Sequence, residues 1–121
     1  MPEGDAVVRT ARRLDRALAG RELTATDFRV PRFAVADLSG GLVVGTHTRG
    51  KHLLTRIDHG EREWTLHTHL KMDGTWRDYA PGDRWGRPGH TARVVLTTAD
   101  RVTVGFSLGI VELLPREQEE E

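Results

Sequence analysis

The chain has 121 residues, no cysteine, and 18 basic against 18 acidic residues. This length suffices for one domain with a hydrophobic core, and the lack of cysteine excludes a disulfide framework, a cysteine-ligated zinc site and a thiol nucleophile in this sequence. The zero net charge excludes a uniformly basic surface, so a site for a polyanion must be a local patch. The apolar runs are too short to cross a bilayer and no signal peptide is recognisable, which predicts a cytoplasmic protein that does not bind membranes.

The first predicted element is an amphipathic helix that begins at Asp5, a suitable N-cap, and stops at Gly20. Four apolar residues recur at helical spacing and are predicted to face the core: Val7, Ala11, Leu14 and Leu18. Four arginines occupy the other faces, and most are expected to be solvated: Arg9, Arg12, Arg13 and Arg16.

Strand-like segments follow the helix. In residues 22–30 the alternation predicts four buried side chains: Leu23, Ala25, Phe28 and Val30. Residues 40–58 contain two apolar, β-branched runs that are separated by Arg49-Gly50. Residues 61–79 predict a β-hairpin that turns at Asp73-Gly74, because Asp-Gly between strand-like runs favours a tight turn.

Residues 81–90 are rich in glycine and proline and predict a loop, and three more strands are expected in residues 91–114. The result is one helix and seven or eight short strands, with no internal repeat. The sequence therefore predicts a mainly β fold with flanking helices (α+β), built as an antiparallel two-layered β-sandwich with an N-terminal helix.

The N-terminus, Met1-Pro2-Glu3, is the first candidate for chemistry. After removal of Met1, Pro2 carries a free secondary amine, which can attack a sugar carbon and form an iminium ion. Glu3 can supply a proton to the sugar ring oxygen. The helix that follows directs its positive end toward an anionic substrate. If Met1 is retained, the nitrogen of Pro2 lies in an amide and cannot react.

Two internal segments indicate nucleic acid. TRGKHLL places Arg49, Lys51 and His52 beside a glycine, where a phosphate or a base can approach closely. HLKMDGTW places Lys71 and Met72 at the tip of the predicted hairpin. An exposed apolar residue beside basic ones is typical of proteins that insert a wedge into a base stack. The ordinary alternatives are a solvated surface lysine at position 51 and a gap-filling methionine at position 72.

Together and in this order, MPEG, ARRL in the helix, TRGKHLL, HLKMDGTW and GIVELL resemble the N-terminal domain of the formamidopyrimidine-DNA glycosylase/endonuclease VIII family, in particular its actinobacterial endonuclease VIII type. The resemblance extends over residues 1–115. It implies base excision repair by a bifunctional DNA glycosylase/AP lyase that removes oxidised bases and nicks the strand by β,δ-elimination. In that enzyme Pro2 would form the Schiff base, Glu3 would act as general acid/base, and Lys51 would act near the lesion.

The resemblance also implies a DNA-binding set. His69 would contact a backbone phosphate, Met72 would fill the gap left by the flipped nucleotide, and Lys71 and Arg49 would bind DNA. The partners implied are damaged double- or single-stranded DNA and other repair or replication proteins, in a nucleoid-associated cytoplasmic location. His67 and His69 share one strand face, but without further ligands nearby no metal site is assigned.

Three departures from the family pattern limit the resemblance. A family glutamate at position 6 is replaced by Ala6, and SLGIVEL lacks the Arg-Phe-Gly character of a second wedge. The family's C-terminal helix–two-turn–helix and zinc-finger region is absent, so residues 1–115 are interpreted as the catalytic β-sandwich domain and residues 116–121 as the start of a linker. Zinc is expected only in the absent part, with no cofactor in this chain, and the isolated fragment is expected to be weakly active or inactive.

Two alternatives remain at this point. One is a catalytically silent DNA-binding or partner-docking domain. The other is a tautomerase in which an N-terminal proline acts as a base, which Glu3 and the single helix before many strands disfavour. The sequence leaves the preferred lesion open.

Overall fold

The structure, a computed structural model, describes residues 4–115. It contains one helix, α1 (Gly4–Leu18), and eight strands. The strands are β1 (Ala25–Phe28), β2 (Leu42–Arg49), β3 (His52–His59), β4 (Arg62–His69), β5 (Thr75–Tyr79), β6 (Ala92–Thr97), β7 (Val102–Phe106) and β8 (Ile110–Pro115). Two single turns of 3-10 helix lie at Pro31–Phe33 and Gly89–Thr91.

The strands form two four-stranded antiparallel sheets. The first has the order β1-β6-β7-β5 and the second the order β2-β3-β4-β8. The main core lies between them and includes large side chains from both sheets and from the helix, among them Leu14, Phe28, Leu53, Leu66 and Trp76. The predicted β-sandwich with an N-terminal helix is therefore confirmed.

Helix α1 buries the face that its spacing predicts, since Val7, Ala11, Leu14 and Leu18 are all in the core. The prediction that Asp5 is the N-cap is wrong, because the helix already begins at Gly4 and Asp5 lies in its first turn. Gly20 ends the helical segment as predicted. Its φ of 78° suits glycine, and its N–H donates to the carbonyl of Val43 at 2.7 Å.

The direction of α1 follows from its contacts with two strands. Gly20 bonds to Val43 near the start of β2, whereas Asp15, earlier in the helix, accepts the N–H of Thr46 further along β2 at 2.9 Å. The helix therefore runs antiparallel to β2. The guanidinium of Arg13 donates to the carbonyl of Trp76 at 2.7 Å, near the start of β5. The N-terminus of α1 consequently lies at the end of the sandwich where β2 ends and β5 begins.

The predicted hairpin at Asp73-Gly74 is wrong. Strand β4 belongs to the second sheet and β5 to the first, so residues 70–74 cross between the layers and do not join paired neighbours. The crossing is tight at Gly74, whose N–H donates to the carbonyl of Leu70 at 2.8 Å. A Cβ at Gly74 would lie 2.4 Å from that oxygen, so close packing rather than a hairpin turn requires glycine here.

Of the remaining sequence predictions, one turn and one loop are confirmed and one burial prediction is wrong. The turn at Arg49-Gly50 and the loop over residues 81–90 are confirmed. Ala25 is exposed, contrary to the predicted alternation, because β1 turns Thr26 and Phe28 toward the core and Ala25 lies on the opposite face of the strand. Within residues 4–115 no helix is long and apolar enough to span a membrane.

Leu14→Ala should lower the free energy of unfolding by about 2–5 kcal/mol, because it leaves a cavity where α1 packs on the core. Leu14 is 1 % exposed. Val8 on the same helix is 38 % exposed, so Val8→Ala is the matched control and should change stability by less than about 0.5 kcal/mol. Urea unfolding followed by circular dichroism measures both, and equal losses would contradict the assigned helix face.

Candidate nucleic-acid interface

The candidate interface lies at one end of the second sheet, here called the site end. Cross-strand pairing aligns Arg49 of β2, His52 of β3, His69 of β4 and Ile110 of β8 in one row. Residues adjacent in a row have their Cβ atoms about 5 Å apart and point to the same face. Segments far apart in sequence thus supply one continuous patch, and three of its four residues carry nitrogen donors.

The turn between β2 and β3 extends the site end. Gly50 has a φ of 60°, which permits the tight reversal between Arg49 and His52. Lys51 follows it and is exposed. The flexible Lys51 ammonium can therefore reach an anion that approaches the row from outside.

The segment 70–74 places an apolar side chain beside this basic turn. Met72 is 72 % exposed, the second most exposed large apolar side chain among residues 4–115. Lys71 has a φ of 56°, an unusual conformation for a residue with a Cβ. Its N–H donates to Nδ1 of His69 at 3.0 Å. This hydrogen bond ties the strained segment to the last residue of β4.

A glycine from another loop completes the support of Lys71. The N–H of Gly109 donates to the carbonyl of His69 at 2.9 Å. A Cβ at Gly109 would lie only 1.9 Å from Cγ of Lys71, so the Lys71 stem occupies the space that glycine leaves. The connection between β7 and β8 thereby fixes where Lys71 leaves the sheet.

Three histidines cluster at the site end: His52 and His69 are in the outermost row, and His67 is two rows further in on the same face of the sheet. Nδ1 of His52 lies 2.7 Å from Nε2 of His67, and the ring centroids of His52 and His69 are 4.8 Å apart. On β8, Oε2 of Glu112 lies 3.8 Å from Nδ1 of His67. No group of three or more histidine, aspartate or glutamate side chains within residues 4–115 has the arrangement of a metal site.

The environment of this cluster disfavours added positive charge. Burial lowers the pKa of His67 from its usual value, and the neighbouring His52 lowers it further, while Glu112 acts in the opposite direction. Burial also lowers the pKa of His69, with smaller effects from His52, Lys71, His67 and Lys51. Neutral His69 is the form that accepts the N–H of Lys71, so its protonation state and the loop conformation are coupled.

The predicted site residues separate into two groups. Arg49, Lys51, His69, Lys71 and Met72 all lie at the site end. Pro2 and Glu3 lie outside the described residues. The helix that follows them begins at Gly4, and its N-terminus points to the same end of the sandwich.

The sequence places His52 in the basic segment TRGKHLL and His67 on the strand face of His69, but it does not predict that His52 and His67 are in contact. Both belong to the cluster. A usable signal was the turn at Gly60-Glu61, because centring β3 and β4 on it pairs His52 with His69 and Leu54 with His67.

Comparison with known proteins decides the family. The family model described as "Formamidopyrimidine-DNA glycosylase N-terminal domain" matches residues 1–107. The chain belongs to this family. The "Probable endonuclease 8 2" of Streptomyces coelicolor is 54 % identical over 121 residues, covering 99 % of this chain and 43 % of the relative. The "DNA-(apurinic or apyrimidinic site) lyase Nei2" of Mycolicibacterium smegmatis is 47 % identical over 116 residues, covering 96 % of this chain and 43 % of the relative.

Solved structures of formamidopyrimidine-DNA glycosylases share the fold. Lactococcus lactis Fpg (MutM) in complex with DNA containing N7-benzyl-Fapy-dG superposes with a TM-score of 0.80 at 21 % identity, covering 98 % of this chain and 46 % of that one. MutM in complex with DNA containing carbocyclic 8-oxo-G superposes with a TM-score of 0.80 at 21 % sequence identity, and the match covers 98 % of this chain and 47 % of that one. The chain thus spans less than half the length of the relatives it matches, and the resemblance seen in the sequence is confirmed.

Stability should fall as the pH drops through about 6.5, the ordinary histidine value in the unfolded chain. The pKa values of His67 and His69 are lowered in the folded state, so the unfolded state takes up protons at a higher pH than the folded state does. A falling pH therefore stabilises the unfolded state relative to the folded state. The contribution of these two histidines to the free energy of unfolding is present above that pH and is lost below it. Urea midpoints at pH 7.5 and 5.5 measure the loss.

His69→Gln should lose less stability between pH 7.5 and pH 5.5 than the unsubstituted chain does, since the amide oxygen of glutamine can accept the Lys71 N–H without titrating. The matched control is His90→Gln, because His90 is exposed on the 3-10 turn Gly89–Thr91 and should leave the loss unchanged. A loss in His69→Gln equal to that of the unsubstituted chain would show that His69 does not cause it.

Proposed function

We propose that this chain is the N-terminal domain of a DNA glycosylase/AP lyase that acts in base excision repair on oxidised bases. The observation that carries the proposal is the convergence of Lys51, Lys71 and exposed Met72 with the N-terminus of α1 at one end of the sandwich. Family membership and the lyase and endonuclease names of relatives support the same reaction class.

Pro2 is the proposed nucleophile. Its secondary amine attacks C1′ of the damaged nucleotide, the bond from C1′ to the base breaks, and the base leaves with the bonding electrons. Glu3 protonates the ring oxygen as the sugar opens, which leaves an iminium ion between Pro2 and C1′. Successive β and δ eliminations then break the 3′ and 5′ phosphate bonds and nick the strand. The positive end of α1 favours the nearby phosphates.

The basic residues of the site end are proposed to hold the DNA backbone. Lys51 and Arg49 contact phosphates near the lesion, and His69 and Lys71 contact the phosphates beside Met72. The exposed Met72 side chain fills the space in the stack after the nucleotide flips out. Unstacking costs a few kcal/mol, so a preformed wedge held by the His69–Lys71 hydrogen bond reduces the ordering needed on binding.

Residues 1–115 are proposed as the catalytic domain and residues 116–121 as the start of a linker to further DNA-binding parts. Zinc, where the whole enzyme holds it, would belong to those parts, because a zinc finger uses cysteine ligands and this sequence has none. With part of the phosphate contacts missing, the 121-residue chain alone is expected to bind DNA weakly and with strong salt dependence.

Borohydride treatment of the full-length protein with an abasic-site oligonucleotide should trap a covalent adduct, because hydride reduces the iminium ion to a stable amine. Pro2→Gly should abolish the adduct, and mass spectrometry of the N-terminus verifies that Met1 has been removed. If the full-length protein with an unblocked Pro2 binds abasic DNA but forms no adduct, the result would favour the alternative, a catalytically silent DNA-binding or partner-docking domain.

Met72→Ala should weaken binding of the full-length protein to duplex DNA with an abasic analogue by about tenfold, because the wedge loses its apolar contacts with the flanking bases. Stability should change by less than about 0.5 kcal/mol, since the side chain is exposed. Val35→Ala is the matched control, as Val35 is 97 % exposed in the loop after the first 3-10 turn. Equal affinities of the two variants would contradict the role of Met72.

A further inference from the structure

A linear chain of ionisable groups crosses the second sheet at the site end. It runs from the imidazole of His52 through His67 to the carboxylate of Glu112, with separations of 2.7 Å and 3.8 Å. The strand register produces it, because His67 pairs with Glu112 across β4 and β8, while His52 lies two rows closer to the end on the same face. The proposed mechanism does not use His52 or His67.

The outer end of this chain is accessible. Nδ1 of His52 faces His67, and Nε2 of His52 has no hydrogen-bond partner within residues 4–115. The only buried side-chain nitrogen or oxygen atom that lacks a partner in that range is Nε1 of Trp76. Nε2 of His52 therefore lies at the surface, in the same row as Arg49 and His69 and next to Lys51.

Glu112 determines how protons are arranged along the chain. Its negative charge favours a proton on Nδ1 of His67, which leaves Nε2 of His67 as an acceptor. At 2.7 Å the opposing Nδ1 of His52 must then be the donor. A neutral His52 in this arrangement has its lone pair on the surface atom Nε2. A lone pair there repels an anion, whereas one added proton turns the same atom into a charged donor.

We infer that Nε2 of His52 is a binding site for a DNA backbone phosphate and that the phosphate binds together with one proton. The inference rests on the proposed function, since it takes DNA as the ligand of the site end. The proton comes from solvent, occupies Nε2 of His52 while the phosphate is bound, and returns to solvent on dissociation. The charged imidazole of His52 then lies between the phosphate and the histidine–carboxylate pair: Nε2 of His67 accepts its Nδ1–H, and Nδ1–H of His67 faces the carboxylate of Glu112.

The surrounding charges act in known directions. Strand β2 contributes Arg49, which pairs with His52, and His47, which lies in the row of His67. The turn between β2 and β3 contributes Lys51. Strand β4 and the segment after it contribute His69 and Lys71. The cluster of His67 and His69 disfavours added positive charge, and a bound phosphate offsets the surrounding basic groups. Glu112 is the acidic group that faces the cluster from β8.

The first test is nuclear magnetic resonance of the imidazole nitrogens in the free 121-residue chain at pH 7.5. We expect neutral His52 and His67, each with its proton on Nδ1. A proton on Nε2 of neutral His52 would overturn the inference, because the site would then bind phosphate without taking up a proton.

The second test measures binding of a duplex with an abasic analogue by the full-length protein between pH 6.5 and 8.5. One coupled proton weakens binding by up to about tenfold per pH unit above the histidine range. His52→Gln should remove this pH dependence. His59→Gln is the matched control and should retain it, because His59 pairs with Arg62 at the opposite end of β3 from His52.

Glu112→Gln separates this role from a structural one. Without the carboxylate, His67 can carry its proton on Nε2, and neutral His52 then presents an N–H to the phosphate. This variant should bind DNA more tightly than the unsubstituted protein at pH 8.5 and equally at pH 6.5. Binding that is equally pH-dependent in all variants would overturn the inference alone. Failure of the unsubstituted protein to bind DNA at any pH would overturn the proposed function as well.

Discussion

The pairing of β3 with β4 is the constraint on which the site depends. These two strands form the centre of the second sheet, and their eight-residue ladder turns at Gly60-Glu61. Each strand alternates a core face with an outer face, so this one register buries Leu53, Ile57 and Leu66 and at the same time aligns His52 with His69. A slip of one residue would move the core residues to solvent and separate the histidines. Fold stability and site geometry are therefore specified by the same contacts.

The sequence predicts the elements well where a local pattern decides them. The spacing of Val7, Ala11, Leu14 and Leu18 gives the correct helix face, and the glycine in RGK gives the correct turn, because both depend on residues a few positions apart. Asp73-Gly74 misleads for the same reason. Its neighbours satisfy the hairpin rule locally, but β4 and β5 find their partners in different sheets, which only long-range packing determines.

The histidine cluster shows a second limit of sequence reasoning. His52 and His67 are fifteen positions apart and lie two rows apart on one face rather than directly opposite each other, so an alternation pattern does not reveal that they are in contact. Glu112 enters from β8, whose place beside β4 has no local signal. By contrast, Lys51, Lys71 and Met72 stand in short motifs that carry a physical meaning of their own, and these could be predicted from the chain alone.

The direction of β8 has a consequence for how the proposed further DNA-binding parts would be attached. The strand begins at Ile110, in the row of His52 and His69, and ends at Pro115, where it pairs with Trp64. Six residues of strand carry the backbone about 17 Å away from Met72 and the basic turn. Under the proposed function, a second DNA-binding lobe attached after Pro115 would start at the end of β8 remote from the site end, and a return path along the sandwich would bring it to DNA held there. The length and stiffness of that return path would set how wide a cleft the two lobes can form.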